Sequence, residues 1–231
     1  MRRDDSSFSP VFLSLFALFI TCLLVSNIIA GKLILVFGLV LPSAVILFPI
    51  TYILGDVFTE VYGFRKTRIV IWSGFAANVL MSAFFLIAIV LPFPIFFKDQ
   101  GAYAKVLGFT PRIVAASLLA YCAGEFANSI TLSALKKVTK GRYLWTRTVS
   151  STVVGQGLDT AIFIGLSFVG SVPTAILFQM MIAQYAFKTT YEIILTPVTY
   201  LVVRRVKRRE GIDTFDVGVA YNPFGRGAKN G

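Results

Sequence analysis

The sequence predicts an all-α membrane protein, a polytopic bundle of six transmembrane helices, and three observations predict it. The 231 residues are 56% hydrophobic and 14% charged, with a mean hydropathy of +0.78, too apolar for a soluble domain of ordinary composition. The apolar residues gather into six stretches, each long enough to supply the roughly 20 helical residues that cross a hydrocarbon core of about 30 Å. The basic residues fall between those stretches in an alternating pattern: 15 of the 22 flank one side. Such a bias sets orientation, placing both termini and the even-numbered connections in the cytoplasm.

Taken in order, the first span covers 11–30. It follows Met1-Arg2-Arg3 and has the outline of a signal sequence. At about 20 residues it is longer than an ordinary signal core, so it is expected to remain as an uncleaved helix. The second span, 33–55, contains Pro42 and Pro49. Each proline removes a backbone donor, which in lipid is tolerated only against protein or water, so this span is expected to be bent or broken beside a cavity.

The third span, 69–91, has Trp72 near its start as an interface anchor. A longer connection, 92–111, is expected to cover an outward-facing mouth. Spans four (112–135) and five (148–169) carry small residues at four-residue spacing, Ala116, Ala120 and Gly124 in one and Gly157, Ala161 and Gly165 in the other. These are packing stripes that let helix backbones approach. The sixth span, 174–203, is the longest, with Pro197 near its end. The organisation expected is a cytoplasmic N-terminus at 1–10, a six-helix transmembrane domain at 11–203 and a cytoplasmic basic tail at 204–231.

Composition also excludes. The formal charge of +11 is a topology signal, so no nucleic-acid partner is expected. Histidine is absent, and Cys22 and Cys122 lie in apolar stretches without metal-type spacing, so neither a disulfide framework, a metal site nor another cofactor is expected. There is no Gly-rich phosphate loop, no Gly-x-Ser-x-Gly and no His-Glu-x-x-His. Hydrolase chemistry is therefore not indicated.

What remains is charge inside the spans. Glu125, Asp159, Lys188 and Glu192 fall near the centres of spans four to six, where insertion of each costs about 2.5–3.5 kcal/mol and requires a partner, a water-filled cavity or a ligand. Tyr121, Glu125 and Asn128 share one helical face in span four, and Thr152, Gln156 and Asp159 do so in span five. In span six Gln184, Lys188 and Glu192 repeat the pattern. The structural alternative is an internal amide and salt-bridge network, with Lys188 and Glu192 paired at i,i+4 or Lys188 serving Glu125 or Asp159 across the bundle. Asp56 and Glu60 also stand at i,i+4, past the end of span two. They are expected to face the same way near the cytoplasmic surface, as an acidic edge, an inner gate or, if Gly55 lets the helix unwind, part of the site. Asn27 and Asn78 read as interhelical glue.

Some segments are more specific than these physical signals. Leu24 to Ala30, Thr51 to Gly63, Arg147 to Ser151, and Gly155-Gln156-Gly157-Leu158-Asp159-Thr160-Ala161-Ile162-Phe163 resemble the bacterial queuosine precursor transporter family, also called vitamin-uptake-transporter-like. Glu210 to Asp216 and Tyr221-Asn222-Pro223-Phe224 are similar to that family's ending.

The resemblance implies a six-helix inner-membrane importer of 7-deazaguanines, 7-cyano-7-deazaguanine and its aminomethyl relative, salvaged for tRNA queuosine. For such a ligand the residues divide by chemistry. Glu125 or Asp159 accepts from the paired N–H donors, Gln156 or Asn128 donates to the carbonyl, and Tyr121 or Tyr52 covers the ring. Lys188 and Glu192 complete the candidate site, and Asp56 and Glu60 are candidates for gating or coupling. A substrate-binding membrane subunit of an ATP-driven vitamin-type transporter stands as the alternative, with a homo-oligomer or an energising subunit left open. An intramembrane enzyme is the remote one.

Overall fold

The computed structural model describes residues 8–29, 32–36, 39–108, 111–170, 173–216, 219 and 221–223. The expectations for residues 1–7 and for Phe224 and the rest of the tail lie outside the described residues.

Helix α1 (Pro10–Ile29) is followed by a short antiparallel pair, β1 (Leu33–Val36) and β2 (Leu39–Pro42). A 3-10 turn (Ser43–Ile46) then leads into α2 (Phe48–Val57), which runs directly into a single π-helical turn, Phe58–Tyr62. There follow α3 (Phe64–Val90), the short α4 (Gln100–Leu107), α5 (Pro111–Val138), α6 (Leu144–Phe168) and α7 (Thr174–Glu210). The helical class is as expected. Three of these helices, α1, α3 and α6, are long and apolar enough to cross a membrane. Helices α5 and α7, of 28 and 37 residues, have the length, but their charged and amide residues dilute the hydropathy.

The expected second span is corrected. Residues 33–55 are not one interrupted helix: Leu33–Val36 and Leu39–Pro42 are paired strands, and the helical run extends instead through Asp56 and Glu60 to Tyr62. The reason is local. Pro42 closes the second strand, while Pro49 occupies the first turn of α2, where its missing N–H has no intrahelical partner to lose. The prolines therefore delimit the helix without breaking it. Pro197, inside α7, is the one proline beyond the first turn of a helix among the described residues.

The apolar core forms where α1, α2, α3 and α7 meet. Phe58 lies at its centre, with the rings of Phe12 and Phe19 edge-on at 5.3 and 5.9 Å. The most extensive helix pairing is α5 with α6, and glycine makes it close. A β-carbon on Gly155 would stand 2.9 Å from the Gly124 carbonyl oxygen and 2.8 Å from the Asn128 β-carbon. The expected stripe of Gly157, Ala161 and Gly165 is not this contact. Gly157 and Gly165 face Tyr185 and Met181 of α7 at ordinary van der Waals range. Outside the bundle, α4 folds back on the end of α3, and the Gln100 amide donates to the Ile89 carbonyl at 2.7 Å.

Candidate functional site

Two buried polar clusters occupy the bundle. The first lies at its basic end, around Glu60, whose side chain is wholly buried. Arg147, also buried, donates to both Glu60 oxygens through Nη1 and Nη2. Lys207 donates to Glu60 Oε1 at 2.7 Å. Lys136 approaches the same oxygen at 3.6 Å, and its three donors go to the Glu60 carbonyl (2.6 Å), Asp213 Oδ1 (2.5 Å) and the Thr214 carbonyl (2.7 Å). Arg147 is completed by the Arg142 and Gly141 carbonyls at the α5–α6 turn.

The chain beyond α7 belongs to this cluster. Asp213 bridges Lys136 and Lys207. Partial burial works to raise its carboxyl, and the hydrogen bonds and charges of the two lysines outweigh that, holding it below the ordinary carboxylate range. Asp216 accepts from the Phe64 N–H at 2.9 Å and from Ser133 Oγ, so it caps α3 from 152 residues away. Gly63 makes room for it: φ is +81°, and a β-carbon there would strike Asp216 Oδ1 at 2.8 Å. Trp72 Nε1 donates to the Pro223 carbonyl and Arg68 to the Asn222 carbonyl. Trp72 thus holds the tail: residues 204–210 of the expected basic tail belong to α7, and beyond it the described residues 211–216 and 221–223 form a strap docked on α3 and α5.

The second cluster lies midway along α5, α6 and α7, opposite α2. Lys188 donates to Asp159 Oδ2 at 2.5 Å. The expected pairing of Lys188 with Glu192 is therefore corrected: the cation turns across to α6. The Tyr52 hydroxyl points to Gln156 Oε1 at 3.4 Å and lies in hydrogen-bonding reach of Lys188. Asn128 Nδ2 donates to Asp56 Oδ1 at 3.1 Å. The Glu125 carboxylate rests over the bare backbone of Gly55, with Oε2 3.3 Å from where a β-carbon would be, and has no hydrogen-bond partner among the described residues. Its charged neighbours are Asp56, Asp159 and Lys188, while Glu192 faces Asp56 and Glu125.

Eight of the residues singled out from the sequence thus meet, or come within electrostatic reach, at one place: Tyr52, Asp56, Glu125, Asn128, Gln156, Asp159, Lys188 and Glu192. Tyr121 sits beside them, but its hydroxyl turns away onto α3, against Gly74 and 3.4 Å from the Ile71 carbonyl. Asp56 and Glu60 do not act as a pair. The π-turn between them is wider than an α-turn, and each has its own partners, Asp56 in the middle and Glu60 at the basic end. Neither is a solvated edge, both being at most 1% exposed. Asn27 Nδ2 bonds Asn78 Oδ1, and Asn78 bonds the Gly74 carbonyl, which ties α1 to α3.

Sequence reasoning missed Lys136, Arg147, Lys207, Asp213 and Asp216. Positive charges beside a span read as topology signals, and no periodicity joins residues 60, 147 and 213. The clue present was Glu60, a carboxylate in an otherwise apolar helical segment.

A family described as "Putative vitamin uptake transporter" matches residues 42–202, from the end of the hairpin to the upper part of α7. The chain is 29% identical over 188 residues, 80% of its own length and 81% of the relative's, to a Bacillus subtilis (strain 168) protein named "Probable queuosine precursor transporter". No solved structure matches the chain. Both buried clusters lie mainly within the matched region, and a helical chain with apolar spans and charge in its interior is what a membrane transporter requires; this protein belongs to the vitamin-uptake-transporter-like family.

Proposed function

We propose that the chain crosses the inner membrane six times, with both termini cytoplasmic, and imports 7-deazaguanine precursors of queuosine through the cluster at mid-bundle. The observation that carries this reading is the convergence of carboxylate, amide, ammonium and phenol groups from α2, α5, α6 and α7 inside a chain of a transporter family. The name of the Bacillus relative supports the substrate class. The six crossings are α1, the helical run 43–62, α3, α5, α6 and α7. The fifteen basic residues then fall on the cytoplasmic side.

The arrangement suits a flat base with donors on one edge. Asp159 is held by Lys188, so Glu125, half-buried and unpartnered, is the carboxylate that accepts the base's adjacent N–H groups. Gln156, already steered by Tyr52, donates to the carbonyl, and the Tyr52 ring covers the base. Asp56 and Glu192 close the floor of the site.

The chain acts as a stand-alone carrier and performs no chemistry on its ligand. It has no ATPase signature, and its buried charges come from within one bundle. Expression in a strain unable to make or import queuosine precursors tests the substrate: tRNA queuosine should return when a precursor is supplied. No return despite confirmed membrane insertion would remove the substrate class. Uptake that collapses with an uncoupler while ATP is maintained supports the carrier, whereas dependence on a partner ATPase would replace it with the subunit reading.

A further inference from the structure

The end of α7 carries basic residues of two kinds. Lys207 turns inward to Glu60 and Asp213, next to the buried face that holds Glu192, Thr196, Thr199 and Val203. Arg204, Arg205, Arg208 and Arg209 are exposed, and their side chains make no ion pair or hydrogen bond among the described residues. A solvated helix end that fixes orientation and complements the helix dipole would account for four such charges. Two features of their setting go beyond that.

The first is the face on which they stand. Ile194, Val198 and Leu201 are exposed apolar side chains, and Arg205 and Arg208 continue their column at helical spacing, i, i+4, i+7, i+11 and i+14. Opposite the buried face, the column thus changes from apolar to cationic within one turn, as a helix does where it passes from hydrocarbon into headgroups. The second is what stands beside the column. The Tyr200 hydroxyl accepts the Trp145 N–H at 2.5 Å, which fixes the start of α6 against α7. Tyr143, Trp145 and Tyr200 are all exposed there, and Arg204 and Arg208 follow Tyr200 along α7 at i+4 and i+8. Aromatic rings and guanidinium groups therefore share one outward surface. Tyrosine and tryptophan collect at headgroup level, and a guanidinium matches the geometry of phosphate oxygens.

We propose that Arg204, Arg205 and Arg208, with Trp145 and Tyr200, form a binding surface for the headgroup of an anionic phospholipid in the cytoplasmic leaflet. This rests on the membrane crossing of α6 and α7 proposed above and not on the substrate. The apolar column selects a lipid over a free phosphate or an acidic protein, because acyl chains can lie along Ile194, Val198 and Leu201 while the phosphate reaches the arginines. The net negative headgroup meets cations that the fold leaves unpaired, whereas Lys136, Arg147 and Lys207 are already committed to Glu60.

The test uses the full chain in lipid nanodiscs. Trp72→Phe leaves Trp145 as the single tryptophan, and lipids brominated on their acyl chains quench its fluorescence on contact. At equal mole fraction, brominated phosphatidylglycerol should quench more strongly than brominated phosphatidylcholine, with a relative affinity on the order of fivefold, what one basic residue contributes at an anionic surface. Arg204→Gln with Arg208→Gln should abolish that preference, whereas Arg65→Gln with Lys140→Gln, an exposed pair of equal charge elsewhere at the basic end, should leave it intact. The chain with both tryptophans gives the same comparison without Trp72→Phe: its melting temperature should rise when phosphatidylglycerol replaces part of the phosphatidylcholine, and the rise should vanish with the two α7 arginines. Equal quenching by the two lipids overturns the lipid surface and assigns the arginines to a soluble acidic partner. Equal loss of the preference in the Arg65 and Lys140 pair also overturns it, in favour of the general field of the basic end. Quenching by neither lipid puts Trp145 outside the bilayer and overturns the proposed crossing together with the surface. Failure of precursor uptake would overturn the substrate class and leave the surface standing.

Discussion

Glu60 and Glu192 are both buried to within 1%, and their surroundings are opposite. Around Glu60 stand Arg147, Lys207 and Lys136, with every donor of Lys136 used. Around Glu192 stand other carboxyls, and Oε2 has no partner. The fold tolerates both, but at different expense. A carboxylate among satisfied cations clamps α2, α5, α6 and the strap together. A carboxylate among other acceptors contributes nothing to that. In the reading proposed here, completeness of hydrogen bonding separates the part of the bundle that is structure from the part proposed as the site.

The largest effect on stability should follow from Glu60→Ala. Removing one partner of a buried ion pair costs about 3–5 kcal/mol, and here three cations lose their counter-charge. Folded protein in the membrane and its thermal unfolding in detergent should both fall sharply. If the variant unfolds like the wild type, the basic-end cluster is not the clamp. Next comes Gly155→Ala, which forces α5 and α6 apart where backbone meets backbone. A cost of about 1–3 kcal/mol is expected, together with loss of uptake, because the nearest side chain to be displaced is Asn128.

Asp216→Ala should cost about 1 kcal/mol, as for other helix caps. Protease sensitivity of the strap should rise with it, and an unchanged digestion pattern would show that the strap is held without its cap. Asp213→Asn should be worth less than about 1 kcal/mol, since the side chain is 47% exposed and solvent screens its two lysines. Because its carboxyl lies below the ordinary range, its small contribution is present at neutral pH and is lost only as pH falls through that lowered value.

How much of this was readable from the chain alone depends on the range of each signal. The residues that α5 and α6 bring to the mid-bundle cluster could be picked out because a charge in an apolar run is conspicuous by itself, and three- and four-residue spacing places neighbours on one face. Lys188 was found too, with its partner left open: spacing offers Glu192 on the same helix, a cross-bundle pairing offers Glu125 or Asp159, and the fold takes Asp159. The strand pair β1–β2 was invisible because Leu-Ile-Leu-Val and Leu-Val-Leu-Pro read equally as membrane helix and as strand when only hydropathy is weighed. That error ended the second helical run at 55 instead of 62 and set Asp56 and Glu60 beyond its end. The clamp was hidden by a double meaning, since Lys136, Arg147 and Lys207 serve both as orienting charges and as buried partners of Glu60. Nothing local in the sequence marks which basic residues of a flank fold inward.

The smallest effect on stability, and the largest on function, should come from Glu125→Gln, which exchanges an unpartnered carboxylate for an isosteric amide. Equilibrium binding of 7-aminomethyl-7-deazaguanine to purified protein in lipid nanodiscs, compared between wild type and this variant with melting temperatures measured alongside, tests the division into clamp and site most directly. The expected result is saturable binding by the wild type and at least a tenfold loss in Glu125→Gln, with melting temperature unchanged. Equal binding by both proteins would contradict the placement of the ligand at mid-bundle.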